Sequence, residues 1–174
     1  MSNKSKEVVI VSAIRTPIGK YRGSLKNIRS DQLGSIVIKE VLKKSKFVNE
    51  EIDEVIMGQV LTAGTGQNPA RQAAINAGIP ISKPAHIINQ VCGSGLRAVI
   101  SGYQSIKLGE SNNVISGGQE SMSLAPHSIF YRDEKKISED KLLDTMVNDG
   151  LIDAFNNYHM GVTAENVAKK FNIT

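Results

Sequence analysis

The chain has 174 residues, long enough to bury one well-packed core and too short for two full-sized domains. Its 40% apolar and 22% charged residues give the balance of a soluble globular protein, which excludes a disordered chain and a membrane-embedded one. The 21 Lys and Arg against 17 Asp and Glu leave a net charge of +4, too diffuse to demand nucleic acid and equally suited to an anionic small molecule. A single Cys excludes an internal disulfide framework and a Cys-rich metal site, and fits a reducing compartment.

The N-terminus, Met1 to Glu7, runs straight into Val8-Val9-Ile10-Val11, too short an apolar stretch for the core of a secretory signal. No later stretch reaches the unbroken apolar length of a membrane helix, so the expected location is cytoplasmic. Val8 to Val11, closed by the Thr16-Pro17-Ile18-Gly19 turn, reads as a first strand covered on both faces. Ser30 is placed to cap a helix running to about Ser45, with Leu33, Ile36, Val37, Val41 and Leu42 on one stripe and Glu40 paired with Lys44. Glu54 to Met57 reads as the next strand. Asn68 as cap and Pro69 at the first helical position open a second helix that Gly78 and Pro80 close.

His86 to Val91 reads as a strand ending at Cys92, with His86 a packed or edge residue. The helix that follows carries Leu96, Val99, Ile100, Tyr103 and Ile106 on one face, with Gly109 as its C-terminal stop. A short strand from Asn113 to Ser116 leads into Gly117-Gly118. Alternating strands and helices imply an α/β fold with a mainly parallel sheet, covering residues 1–118.

From Gln119 the texture changes, and residues 119–174 read as an irregular excursion. His127 falls in a loop, and the charged run Arg132 to Lys136 reads as a solvated loop, with ligand phosphate binding as the minority reading. Lys141 to Val147 suits a short helix. Thr163 suits the cap of a last one, with Ala164, Val167, Ala168 and Phe171 on a face that has no partner before Thr174, so the sequence reads as cut in mid-domain.

The segment Asn89-Gln90-Val91-Cys92-Gly93-Ser94-Gly95-Leu96 holds the most chemistry. Ligands bind at the C-terminal ends of strands in open parallel sheets. A thiol there, beside the first turn of a helix, meets unsatisfied N–H groups and a positive dipole end that favour the attacking thiolate. Two glycines let the backbone turn sharply and a bulky substrate approach the sulfur. Two other readings stand beside this one. A Cys at a strand end is often an inert small hydrophobe. Gly93, Gly95 and Ala98 also satisfy a loose dinucleotide pattern, but it follows the third strand rather than the first, and the next strand ends in two glycines where a ribose-binding acid belongs.

Five segments in order give this sequence a recognisable relative. They are Arg15-Thr16-Pro17-Ile18-Gly19, Gly66-Gln67-Asn68-Pro69-Ala70-Arg71-Gln72, Asn89 to Leu96, Gly117 to Ser123, and Tyr158 to Asn166. Together they resemble the thiolases, in particular the biosynthetic acetyl-CoA acetyltransferases, over essentially the whole chain. The resemblance implies a layered α/β fold, of which this chain holds the first half and the start of an inserted loop region. It implies that Cys92 attacks the thioester of acetyl-CoA to become an S-acetyl intermediate, and that the acetyl group passes to a second acetyl-CoA, giving acetoacetyl-CoA and CoA, or the reverse. Leu151, His159 and Met160 fall at positions expected to line the tunnel for the pantetheine arm. For His159 a plain hydrogen bond to nearby backbone remains the other reading.

Coenzyme A thioesters are thus the expected substrates, with no permanently bound cofactor and no metal. The full-length family member is expected to be a homodimer or homotetramer, binding neither nucleic acid nor membrane. The family's base and second Cys lie in a later half, and this chain has no second Cys. It therefore reads as the first piece of a thiolase, catalytically deficient alone. The alternatives are a non-catalytic module that binds a thiolase subunit, or a ketoacyl-synthase-type condensing enzyme. The Gly-Gln-Asn-Pro-Ala-Arg segment argues against the latter.

Overall fold

A computed structural model describes residues 7–132 and 142–174. The chain divides into two compact units, Met1–Leu124 and Ala125–Thr174.

The first unit holds α1 (Ser30–Ser45), β1 (Glu54–Gly58), α2 (Pro69–Asn76), β2 (Ala85–Ile88), α3 (Ser94–Leu108) and β3 (Val114–Gly118). The three strands form one sheet in the order β2-β1-β3, and both pairings are parallel, with Val55 beside Ala85 on one side and Ile115 on the other. This is the expected α/β architecture. Strand alternation divides the sheet's faces. Val55 and Met57 join Ile38 and Leu42 of α1 and Ala70, Ala73 and Ala74 of α2 in the main core cluster. Glu54 and Gly58 belong to the opposite face, where Glu54 accepts a hydrogen bond from Ser105 of α3 at 3.1 Å.

Several helix ends follow from local chemistry. Asn68, at φ +41°, accepts the Arg71 N–H on its side-chain oxygen and Pro69 opens α2, as expected. Gly109, at φ +80°, terminates α3. At α1 the cap is Arg29, one residue before the expected Ser30, and its N–H is taken by the Gln32 side chain at 3.0 Å. Glu40 pairs with Lys43 at 4.0 Å rather than with Lys44.

The stripe expected on α3 is displaced, and of the one expected on α1 only Leu42 is buried. On α1 the buried residues are Ser30, Asp31, Gly34, Ser35, Ile38 and Leu42, while Ile36 is exposed. On α3 they are Ser94, Ala98, Gly102 and Ser105, and Leu96, Val99, Ile100 and Tyr103 face outward, Leu96 with 69% of its surface exposed. The reason is distance. A β-carbon on Gly102 would stand 2.4 Å from Ser116 Oγ, and one on Gly34 3.1 Å from the Ala73 β-carbon. At Gly34 and Gly102 these helices lie so near their neighbours that a larger side chain would not fit.

Val8 to Val11 is not a strand. It forms no ladder, and Ile10 is 80% exposed. A β-branched composition supplies no partner for backbone N–H and C=O groups, and no described strand lies beside this run to provide one. The strand expected over His86 to Val91 stops at Ile88, because Val91 turns to φ +48° and Asn89 Oδ1 takes its N–H at 2.9 Å. His86 lies on the edge strand β2, its Nδ1 3.3 Å from Glu54 Oε1.

In the second unit β4 (His127–Ser128) pairs antiparallel with β5 (Leu143–Asp144), so His127 is a strand residue rather than a loop residue. The expected helix from Lys141 starts instead at Thr145, as α4 (Thr145–Gly150), because Asp144 accepts the N–H groups of Met146 and Val147. Lys141 and the charged run from Asp133 to Lys136 lie outside the described residues. The last helix, α5 (Met160–Phe171), begins three residues before the expected cap Thr163 and buries none of its residues. No helix of the described residues is long and apolar enough to cross a membrane.

Candidate active site

The link from β2 to α3 is a five-residue turn, Asn89 to Gly93, braced by hydrogen bonds on Asn89, Gln90, Val91 and Gly93. Asn89 Oδ1 accepts the Val91 N–H, and Gly93 N–H donates to the Gln90 carbonyl at 3.0 Å. The buried hydroxyl of Ser94 accepts the Gln90 N–H at 2.9 Å and donates to the Val91 carbonyl at 2.5 Å, which also accepts the Ser94 N–H. Within this turn Val91 is left-handed at φ +48°, a conformation in which a β-branched residue is an outlier. Cys92 follows it, exposed and in no disulfide, two residues before α3. Among the described residues Cys92 is thus not buried.

Three glycines bring α3 against the strand ends. A β-carbon on Gly58 would stand 2.3 Å from the Ser94 carbonyl carbon, and one on Gly118 3.3 Å from Gly95 Cα. Backbone therefore meets backbone where β1, β3 and α3 converge. Beyond this point three side chains pin the loops. Glu120 accepts the Val60 N–H at 2.8 Å and the Leu61 N–H at 3.3 Å, and burial pushes its carboxyl above the ordinary range despite these bonds. Gln119 donates to Gln59 Oε1 at 2.9 Å, and Gln59 donates to the Leu61 carbonyl at 2.7 Å.

Leu151, His159 and Met160 belong to the second unit, and its backbone joins them. Met160 N–H donates to the Leu151 carbonyl at 2.8 Å, and Ile152 bridges His159 in antiparallel fashion. The intervening loop is shaped by Asp153, which accepts the N–H groups of Phe155 and Asn156, and these bonds hold its carboxyl below the ordinary range. His159 Nδ1 accepts the Gly161 N–H at 2.9 Å and so caps α5. The backbone role weighed for His159 is thus present, and it leaves Nε2 as the other ring nitrogen.

Ser94, Gln119 and Glu120 received no role from the sequence, although each lies inside a quoted motif. The signal was their polarity beside glycine at strand ends. Among the described residues no group of three His, Cys, Asp or Glu is placed to hold a metal ion.

A parallel α/β layer with an exposed thiol at the turn that follows a strand's C-terminal end defines the class, an α/β protein of the open parallel-sheet kind. The model of the thiolase N-terminal domain matches residues 8–174, and the chain belongs to the thiolase family. It is 56% identical over 169 residues to an acetyl-CoA acetyltransferase of Cupriavidus necator, covering 97% of this chain and 43% of that protein. It is 53% identical over 174 residues to a cytosolic acetyl-CoA acetyltransferase of Rattus norvegicus, covering 100% and 44%. Among solved structures, the Acat5 thiolase of Ascaris suum in complex with coenzyme A superposes with a TM-score of 0.91 at 41% identity, over 97% of this chain and 44% of that one. The chain spans less than half the length of these relatives.

Proposed function

We propose that this chain is the nucleophile-bearing part of an acetyl-CoA C-acetyltransferase, with Cys92 as the acyl acceptor. The observation that carries the reading is the exposed Cys92 on a braced turn at the start of α3, in a thiolase chain 41% identical to one solved with coenzyme A.

The Cys92 thiolate attacks the carbonyl carbon of acetyl-CoA. A bond forms from Sγ to that carbon, the carbon–sulfur bond to coenzyme A breaks, and the leaving thiolate takes up the proton that Cys92 gave to a base. The tetrahedral oxyanion needs N–H donors. Gly93 and Ser94 have committed theirs to the turn, so the donor we assign from this segment is the N–H of Cys92. A base then removes a proton from the α-carbon of a second acetyl-CoA, that carbon bonds to the acetyl carbonyl carbon, the bond to Sγ breaks to return the Cys92 thiolate, and acetoacetyl-CoA leaves; thiolysis is the reverse.

Leu151, His159 and Met160 are assigned to the wall beside the pantetheine arm. Residues from 119 onward are assigned to the opening of an inserted loop region. The proton-transfer groups are assigned to the part of the relatives this chain does not span, so the 174 residues alone are catalytically deficient. The homodimer or homotetramer expected of the family rests on the full-length protein.

Mass spectrometry after acetyl-CoA treatment tests the reading, in this chain extended by the remaining part of a relative. An acetyl adduct on Cys92 is expected, and an adduct elsewhere overturns it. The outward apolar face of α3 favours a second reading for the 174 residues alone, a non-catalytic module that binds a thiolase subunit. Co-purification with a full-length thiolase supports that reading.

A further inference from the structure

We propose that Ser94 is a positioning residue, whose buried hydroxyl locks Val91 in its left-handed conformation and thereby fixes where the Cys92 sulfur stands. The proposal rests on the reading of Cys92 as nucleophile and adds the group that aims it.

Ser94 is 3% exposed and lies in the first turn of α3, yet its hydroxyl makes no bond that caps the helix. Both of its bonds reach back across Cys92, one from the Gln90 N–H and one to the Val91 carbonyl. Val91 at φ +48° is the only described β-branched residue with positive φ. Left-handed backbone crowds a β-branched side chain, so the conformation persists only where its surroundings fix it. Here the fixing groups are Ser94 on the carbonyl side and Asn89 Oδ1 on the N–H side.

The backbone of Ser94 lies against Gly58 at the end of β1, where a β-carbon on Gly58 would stand 2.3 Å from the Ser94 carbonyl carbon. The hydroxyl therefore ties the turn that carries the thiol to the rigid junction of sheet and helix. Displacing a reacting atom by about 1 Å costs about a hundredfold in rate. The lock thus bears on acyl transfer, which needs the sulfur and its oxyanion donor in register, and hardly on a reaction that needs only an accessible thiol.

The experiment uses the single thiol of this chain. Cys92 is acetylated with S-acetyl-N-acetylcysteamine, a small thioester, and separately alkylated with iodoacetamide, in the native sequence, Ser94→Ala and Ser94→Thr. Ser94→Ala should slow acetylation about tenfold or more while alkylation changes by less than about threefold, and Ser94→Thr should restore acetylation. Parallel changes in both reactions, or no change in either, overturn the proposal.

A second measurement decides the case if Ser94→Ala unfolds or if the native chain is not acetylated. Val91→Gly makes left-handed backbone inexpensive, so Ser94→Ala should reduce the folding equilibrium constant by a factor about five or more smaller on the Val91→Gly background, by urea unfolding. Independent effects of the two substitutions overturn the lock. A native chain silent toward the thioester is the result expected of a part that lacks the proton-transfer groups, and the unfolding cycle then judges Ser94, with independent effects overturning the lock.

Discussion

Gly58 and Ser94 touch through their backbones: a β-carbon on Gly58 would stand 2.3 Å from the Ser94 carbonyl carbon and 2.5 Å from its oxygen. The last residue of β1 therefore sets the height of α3 above the sheet, and with it the height of the turn carrying Cys92. Gly58→Ala must push the helix away, since backbone cannot yield as a side-chain end does. It should cost about 3 kcal/mol or more in urea unfolding. Gly118→Ala, 3.3 Å from Gly95 Cα, should cost less. Equal stabilities of both variants and the native chain would show that the helix has room to move.

Gly34 answers to Gln119 in a similar way. A β-carbon there would fall 1.9 Å from Gln119 Oε1, a buried oxygen with no hydrogen-bond partner among the described residues. Gly34→Ala should therefore destabilise by about 1–3 kcal/mol, and adding Gln119→Ala should recover part of that loss by clearing the clash. Strictly additive costs in a urea double-mutant cycle would mean that the two residues do not compete for this space.

What the sequence made legible was wherever one residue decides a local geometry. Asn68 with Pro69 opened α2, Gly109 closed α3, and the position of Cys92 at a strand-to-helix turn was readable from the glycines after it. What it hid was the depth of packing. Periodicity marked Leu96, Val99, Ile100 and Tyr103 as the inner face of α3, but the sheet is met by Ala98, Gly102 and Ser105 because the approach is too close for larger side chains. Val8 to Val11 misled for another reason, since a strand is a property of two segments and the run names only one. The hydrogen bond from Ser94 to the Val91 carbonyl was invisible, because it depends on a dihedral angle that no residue type announces.

Two carboxylates should give stability opposite slopes with pH. Asp53 is held below its ordinary value of 3.8 chiefly by the Asn112 N–H, with further help from Asn113 and Lys83. Its unfolded form binds protons more readily, so its contribution is complete above 3.8 and is lost as pH falls through the folded value. Burial raises Glu120 above 4.5, so its contribution is complete below 4.5 and is lost as pH rises through the folded value. Urea midpoints measured against pH should show the acid-side loss diminished in Asp53→Asn. In Glu120→Gln, the decline on the alkaline side of 4.5 should be diminished. An unchanged slope in either variant refutes the assignment for that group.

The two faces of the α3 layer should respond oppositely to substitution. Ile56 is 1% exposed at the centre of β1, and Ile56→Ala removes buried methyl and methylene groups from a site with little freedom to collapse, at a cost of about 2–5 kcal/mol. Leu96 and Ile100 point outward, so Leu96→Lys with Ile100→Lys should change urea stability by less than about 1 kcal/mol in this chain. The native face is an apolar patch of the kind that binds hydrophobic dyes and promotes association. Anilinonaphthalene sulfonate fluorescence and light scattering should therefore both fall in the double-Lys variant. A large loss of stability in that variant, with dye binding unchanged, would place the inner face of α3 where the periodicity had put it.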